Sequence, residues 1–247
     1  MTFTEQDLAI LSKFDFPVKP VAVGFLVKRP DGVDRLDENM SFCEMLKKAR
    51  EGSPFYAGPE NHTCEAGPYL LGMEDALQPY ISGQFGTALK IFKTPRAARR
   101  LYFFVPKLQK NSINYVAFST LDRLSFEPDV LVLAADVSQA EILLRAMSYT
   151  TGKMWSSKFT AAVGCAWTLI YPYVTGELNY TITGFGSGMK ARKVFPEGLV
   201  LISIPFELLP SILRNLQDMP WVLPTLQPGA EEFRKRVRIE LGLEPSP

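Results

Sequence analysis

The residues in this sequence best suited to chemistry are its three cysteines. Cys43 lies in Phe42-Cys43-Glu44, Cys64 in Thr63-Cys64-Glu65-Ala66-Gly67, and Cys165 in Val163-Gly164-Cys165-Ala166. An odd number cannot be fully paired as disulfides within one chain, so in a reducing compartment they act as thiols, ligands or nucleophiles. No two form Cys-x-x-Cys, the local signature of zinc and thioredoxin chemistry. Three thiolates without an obvious fourth protein ligand suit an iron–sulfur cluster with one exchangeable iron, of the [4Fe-4S] type. They suit structural zinc less well, because such a site closes four positions. The competing reading is that each cysteine is a small, buried apolar residue.

His62 is the only histidine. It could serve as a fourth ligand or a proton donor, but in the polar loop Glu60-Asn61-His62 it is expected to be solvated. One imidazole rules out sites that need several, and no Gly-x-Ser-x-Gly elbow supports a serine nucleophile. The stretch Thr183-Gly-Phe-Gly-Ser-Gly-Met-Lys-Ala-Arg192 is a second candidate, for an anionic small ligand or cofactor. Gly184, Gly186 and Gly188 would let backbone N–H groups approach it, and Lys190 and Arg192 would balance its charge. The stretch is neither a Walker A loop nor a dinucleotide fingerprint, and a glycine-kinked strand explains it as well. Glu44 and Glu141, early in their helices, read as partners of the helix dipole. Trp155, Trp167 and Tyr171 read as core near Cys165, where they could also shield a cluster.

These residues must be held by regular elements, and the elements recur. Val21 to Val27 and Pro128 to Ala135 are near-continuous apolar runs, the pattern of buried strands. Each is followed by a helix: Ser41 to Arg50, with Phe42, Met45, Leu46 and Ala49 on one face, and a helix capped by Asp136 or Ser138 that carries Ala140, Leu143, Leu144 and Met147. Loops then reach Cys64 and Cys165. Ile81 to Lys90 matches Ile182 to Lys190 as a glycine-bearing strand, and Phe103 to Pro106 matches Ile202 to Pro205 as a strand ending in proline. The offsets are 101 for Cys64/Cys165, 101 for Gly83/Gly184, 100 for Lys90/Lys190 and 99 for Pro106/Pro205. So small a drift predicts an internal duplication.

The expected fold is α/β, or α+β. Two tandem pseudo-symmetric repeats of about 100 residues form one mixed-sheet domain. The expected bounds are 1–16 for an N-terminal helix opened by Thr4, 17–112 and 113–217 for the repeats, and 218–247 for a proline-rich linker and C-terminal helix. In that last helix Arg234-Lys235-Arg236 reads as a solvated face.

Composition narrows the function. With 27 basic and 26 acidic side chains the net charge is +1, which gives no general attraction for nucleic acid or an anionic membrane. The polar start Met1-Thr-Phe-Thr-Glu-Gln-Asp is unlike a signal peptide, and no apolar run approaches a membrane span. The expected location is the cytoplasm. The expected partner is a small-molecule ligand or an electron-transfer protein, with oligomeric state open.

Several segments together resemble domain-of-unknown-function family 169. They are Pro20-Val-Ala-Val23, Cys43 with Ala49-Arg50 and Gly52, Glu60 with Cys64, Pro128-Asp-Val130, Gly152-Lys153, Gly164-Cys165, and Gly186 to Arg192 before Ile204-Pro205. The resemblance runs from about residue 17 to 217. It implies a bacterial or archaeal protein, often of an anaerobe and with no settled activity, in which cysteines recur at these positions. A cysteine site, iron–sulfur in the reading above, is what that recurrence implies. No role for Arg192 follows from it, because Lys190 and Ala191 precede the arginine in an unexpected order.

Overall fold

The two longest apolar runs become the centre of a sheet. Val21–Leu26 forms β1 and Val130–Ala135 forms β5, and they pair antiparallel with Ala22 opposite Leu131. Both are buried along almost their whole length, which is why neither shows polar alternation. The computed structural model describes residues 5–243, with side chains from Ala9 onward. The expected Thr4 cap lies outside that range.

Five more strands complete the sheet: β2 (Asp34–Arg35), β3 (Phe55–Ala57), β4 (Tyr115–Thr120), β6 (Asn179–Ile182) and β7 (Val200–Pro205). The order is β2-β3-β4-β1-β5-β7-β6. Only β2/β3 is parallel, so the sheet is mixed. One face is covered by α1 (Glu5–Ser12), α7 (Val137–Ser148) and α10 (Leu209–Asp218), with Ile10, Leu143 and Leu213 against Leu131, Leu133 and Ile202. On the other face Val23, Phe118 and Val132 pack on Met45 and Leu46 of α2 (Glu44–Glu51), Leu70 of α3 (Ala66–Leu70) and Ile170. Alternate residues of each strand serve opposite layers, as the pleat requires. Cys43 and Cys165 belong to the second layer.

Several expected elements form as read. Asp136 caps α7, its side chain accepting from Gln139 N at 2.8 Å while the Gln139 side chain accepts from Asp136 N at 3.0 Å, a reciprocal capping box. The C-terminal helix is α11 (Ala230–Glu240), and its Arg234-Lys235-Arg236 run is exposed.

Others differ. The two glycine-bearing strands are short helices: α4 (Gln78–Ile81) and α5 (Gln84–Ala88) in the first segment, α9 (Ser187–Ala191) in the second. Gly83 at φ +84° and Gly184 at φ +86° are turn residues, so each reverses the chain where a strand would have continued. Phe103 to Pro106 is no strand either, because Phe103 and Phe104 end α6 (Pro95–Phe104). Thr94 caps that helix by accepting from Ala97 N, and Pro95 occupies its first turn. A capped start of this kind outweighs three β-prone residues, Phe103, Phe104 and Val105. The strand at the corresponding place beside β1 is β4. The expected boundary at 112/113 groups β4 with the second half of the chain, whereas β4 pairs on both sides with strands of the first half, β1 and β3.

Candidate functional site

Each cysteine is set at the start of a helical segment by the chain around it. Ser41, just before α2, is tied to the helix's first residue: Glu44 Oε2 accepts from Ser41 N at 3.0 Å and from the Ser41 hydroxyl at 2.6 Å. Cys43 sits inside that ring, its Sγ 3.4 Å from Ser41 Oγ. Cys64 follows a loop fastened by buried Asn61, which accepts from Gly58 N and donates to Leu36 O at 3.0 Å. Its Sγ accepts from Phe42 N at 3.5 Å, so the first two thiols share one short segment, 41–43. Cys165 immediately precedes Ala166–Ile170, a wide π-helical turn that runs into α8 (Tyr171–Thr175). Such turns are uncommon and concentrate at functional sites. Asn179, 2% exposed, fixes this segment by donating to Lys158 O and Trp167 O and accepting from Lys158 N.

The three cysteines line one cavity of about 250 Å³. Tyr80, Phe92 and Tyr102 from the α4–α6 segment, with Ser187 and Arg192, form other parts of its wall. Burial pushes the Cys165 thiol well above its ordinary range, and the neighbouring charges of Cys43 and Cys64 push it the same way. Burial also raises Cys43, opposed by the Ser41 hydroxyl and by Arg192. Arg192 Nε lies 3.5 Å from Glu44 Oε2. Burial opposes ionisation of Glu44, but the Ser41 hydrogen bonds and Arg192 outweigh it and hold the carboxyl below its usual range. Tyr102 is pushed up to about 12, chiefly by burial. The cavity is therefore a thiol site in which Cys43 and Cys165 are buried, with one ion pair at its wall.

The glycine stretch divides. Ser187 and Arg192 reach the thiol cavity, whereas Lys190 pairs with Glu197 at 3.3 Å. Gly184 lies in the turn beside the Glu197 side chain, and the Gly188 carbonyl accepts from Arg192 at 3.2 Å. Gly186 precedes α9 and packs against Gly164. The stretch thus places an arginine at the cysteines, and its lysine already has a carboxylate.

His62 is not solvated. Its ring lies edge-on to Phe42 with centroids 5.8 Å apart, and both nitrogens are buried with no hydrogen-bond partner among the described residues. Burial lowers its pKa to about 4. The reason is local: residues 61 and 63 exchange backbone hydrogen bonds with Met40, which draws the histidine inward. Glu141, expected to serve the helix dipole, lies beyond the first turn of α7 and instead forms an exposed i,i+4 pair with Arg145. Among the described residues, no three His, Cys, Asp or Glu side chains stand close enough to share a single metal ion. Cluster thiolates bind different irons and stand further apart than the ligands of one ion, so three thiols around a cavity are a donor set of the kind a cluster takes.

The sequence does not single out Ser41, Tyr80, Tyr102 or Phe92, all of which line the cavity. The Ser41-x-x-Glu44 spacing is a local signal for the contact between those two side chains, but nothing local signals the two tyrosines. A larger, mostly apolar groove of about 1250 Å³ runs between α7, β6 and the Pro220–Pro224 segment, without a cysteine.

The fold and the cavity together define a mixed α/β protein with three converging thiols on one sheet face. The chain belongs to domain-of-unknown-function family 169, described as "Uncharacterised ArCR", whose model matches residues 10–215. It is similar to an uncharacterised protein of Methanocaldococcus jannaschii, MJ0308, with 28% identity over 191 residues, covering 76% of this chain and 81% of that one. No solved structure matches. Among the described residues no helix is long and apolar enough to cross a membrane.

Proposed function

We propose that Cys43, Cys64 and Cys165 bind an iron–sulfur cluster, [4Fe-4S] in type, with one iron left without a cysteine. The observation that carries this reading is that thiols from three separate elements line one cavity of about 250 Å³. When bound, such a cluster supplies one-electron redox chemistry or an open iron for a substrate atom. The chain's own residues would do the rest. Trp167 and Tyr171 form a small buried cluster with Leu101 and Ala162 and help exclude water. The Phe42 N–H, which now points at Cys64 Sγ, would stabilise a thiolate there. Arg192 would offset the negative charge that three thiolates bring into a buried site.

Two further readings accompany this one. The chain is read as an internal duplication, supported by the order of the three strands outward from the centre, β1-β4-β3 on one side and β5-β7-β6 on the other, with β2 added at the edge of the first side alone. A cytoplasmic location is proposed because free thiols persist in a reducing compartment.

The test is anaerobic purification and reconstitution with iron and sulfide, followed by metal analysis and a visible spectrum. A brown protein with about four irons, lost in each single Cys→Ser variant, is the expected result. A colourless preparation without bound iron would refute the cluster. It would leave the cysteines structural and favour a non-catalytic ligand-binding or partner-binding module, for which a folded triple Cys→Ala variant would be the signature.

A further inference from the structure

Between Asp75 and Asp122 the chain has no acidic residue and seven basic ones: Lys90, Lys93, Arg96, Arg99, Arg100, Lys107 and Lys110. The middle of this run folds as α4, α5 and α6, which form a roof on the thiol cavity through Tyr80, Phe92 and Tyr102. Helix α6 has two distinct sides. Ala98 and Leu101 are buried, and Tyr102 reaches the cavity. Arg96, Arg99, Arg100, Phe103 and Phe104 follow the spacing i, i+3, i+4, i+7, i+8 and fall within an arc of about 140°. All five are exposed, Phe103 at 78% and Phe104 at 69%. None of the three arginines pairs with a carboxylate among the described residues.

Arginine forks beside exposed aromatic rings have the composition of an interface hot spot, and the arginines match carboxylates geometrically. A membrane-surface helix would present an apolar face to lipid, but the apolar face of α6 is already buried in the protein. A nucleic acid would be drawn by basic charge over a wide surface, whereas this chain has a net charge of +1 and the patch is one short helix. We propose that the outer face of α6 docks an acidic electron-carrier protein. The choice of an electron carrier rests on the cluster reading above: the reduced carrier would be oxidised by one electron and a cluster held by the three cysteines would be reduced by one, with no bond made or broken. Docking there would put the carrier about one helix diameter, roughly 10–12 Å, from the cavity.

The probe is an acidic [2Fe–2S] ferredoxin, titrated calorimetrically into the full-length protein at about 50 mM and about 300 mM salt. Saturable binding that weakens about tenfold or more with salt is expected. R96E/R99E/R100E should weaken it at least about tenfold, and F103A/F104A should speed dissociation. R96Q/R99Q/R100Q, which removes charge without reversing it, should fall between the first variant and wild type. Circular dichroism and melting establish that each variant is folded. No saturable binding, or binding indifferent to these substitutions, would overturn the proposal. So would tighter binding of phosphatidylserine vesicles or duplex DNA through the same arginines. Repeating the titration on cluster-free protein separates the two readings. Ferredoxin binding without any iron uptake supports the docking face and refutes only the cluster.

Discussion

Gly83→Ala tests whether the roof controls access to the thiols. Gly83 sits at φ +84°, a conformation that costs an L-residue about 1–2 kcal/mol. A Cβ there would lie 2.6 Å from Arg99 N and closer still to Pro95 O, both in the first two turns of α6. These are backbone atoms, so relief requires α5 and α6 to separate, at a further cost of about 1–3 kcal/mol. The roof joins the remainder of the fold through few elements, so most of the total, about 2–5 kcal/mol, should appear as local opening. At 1.36 kcal/mol per factor of ten, the lower figure predicts about a thirtyfold rise in the open population. The assay is alkylation of Cys165, 7% exposed, followed by mass spectrometry alongside urea unfolding. The expected result is alkylation faster by at least about thirtyfold, with a smaller loss of global stability. Alkylation at the wild-type rate, in a variant of wild-type stability, would refute the idea that the roof guards the site.

Asn179→Ala should cost about 2–3 kcal/mol in urea unfolding, because Lys158 O and Trp167 O lose their buried donor; a loss below about 0.5 kcal/mol would contradict it. Cluster reconstitution should speed up from about pH 7 to about pH 9, since burial raises Cys43 and Cys165 and ligation needs thiolates. A flat pH profile would count against ligation by these two thiols. Burial lowers His62 to about 4 and raises Asp129, which accepts from Phe25 N at 2.6 Å, to about 6. As pH falls from about 6.5 to 4, the unfolded chain alone protonates His62, which destabilises the fold, while the folded chain alone protonates Asp129, which stabilises it. Each effect is worth up to about 3 kcal/mol. Asp129→Asn should therefore become more acid-sensitive than wild type, and His62→Phe less; parallel stability curves for all three would refute the opposition.

What the sequence made legible follows from the range of the interactions involved. β1 and β5 are buried on both faces, so continuous apolar runs announce them, and α7 carries its own cap at Asp136. β3 has three residues inside a loop rich in glycine and proline, and its partner β4 supplies the hydrogen bonds that its own pattern does not predict. Phe103–Pro106 resembles the proline-ended β7 in residue type, but the Thr94-capped helix claims it and the strand beside β1 is Tyr115–Thr120. His62 looked solvated by its neighbours in sequence and is buried by neighbours in space, Met40 and Phe42. Cysteine spacing suggests considering Cys64 with Cys165, whereas the contact of Cys43 with the cavity that they line depends on α2 docking beside the loop at 61–64. The acid-free run under α6 was readable as a count of charges, and only the helix shows that its arginines share one side.

The position of the cavity in the sheet leads to a last prediction. Cys43 and Cys64 come from the half built on β1, β3 and β4, and Cys165 from the half built on β5, β6 and β7. The halves meet at the β1/β5 ladder, whose matched register is three residue pairs, against six for β1/β4 and six for β5/β7. The central junction is thus the shortest ladder among the long strands, and α1, α7 and α10 cover one of its faces while the thiol side covers the other. A cofactor held by all three cysteines would tie the halves together across this junction, and its binding energy would add to the stability of the junction itself. Hydrogen exchange should then slow most at Val21, Val23 and Val132 on reconstitution, and much less at β6 or α11. Uniform slowing across all seven strands would mean that the cofactor acts on the whole fold and not on this junction. Slowing confined to residues 41–66 would mean that Cys165 is not a ligand.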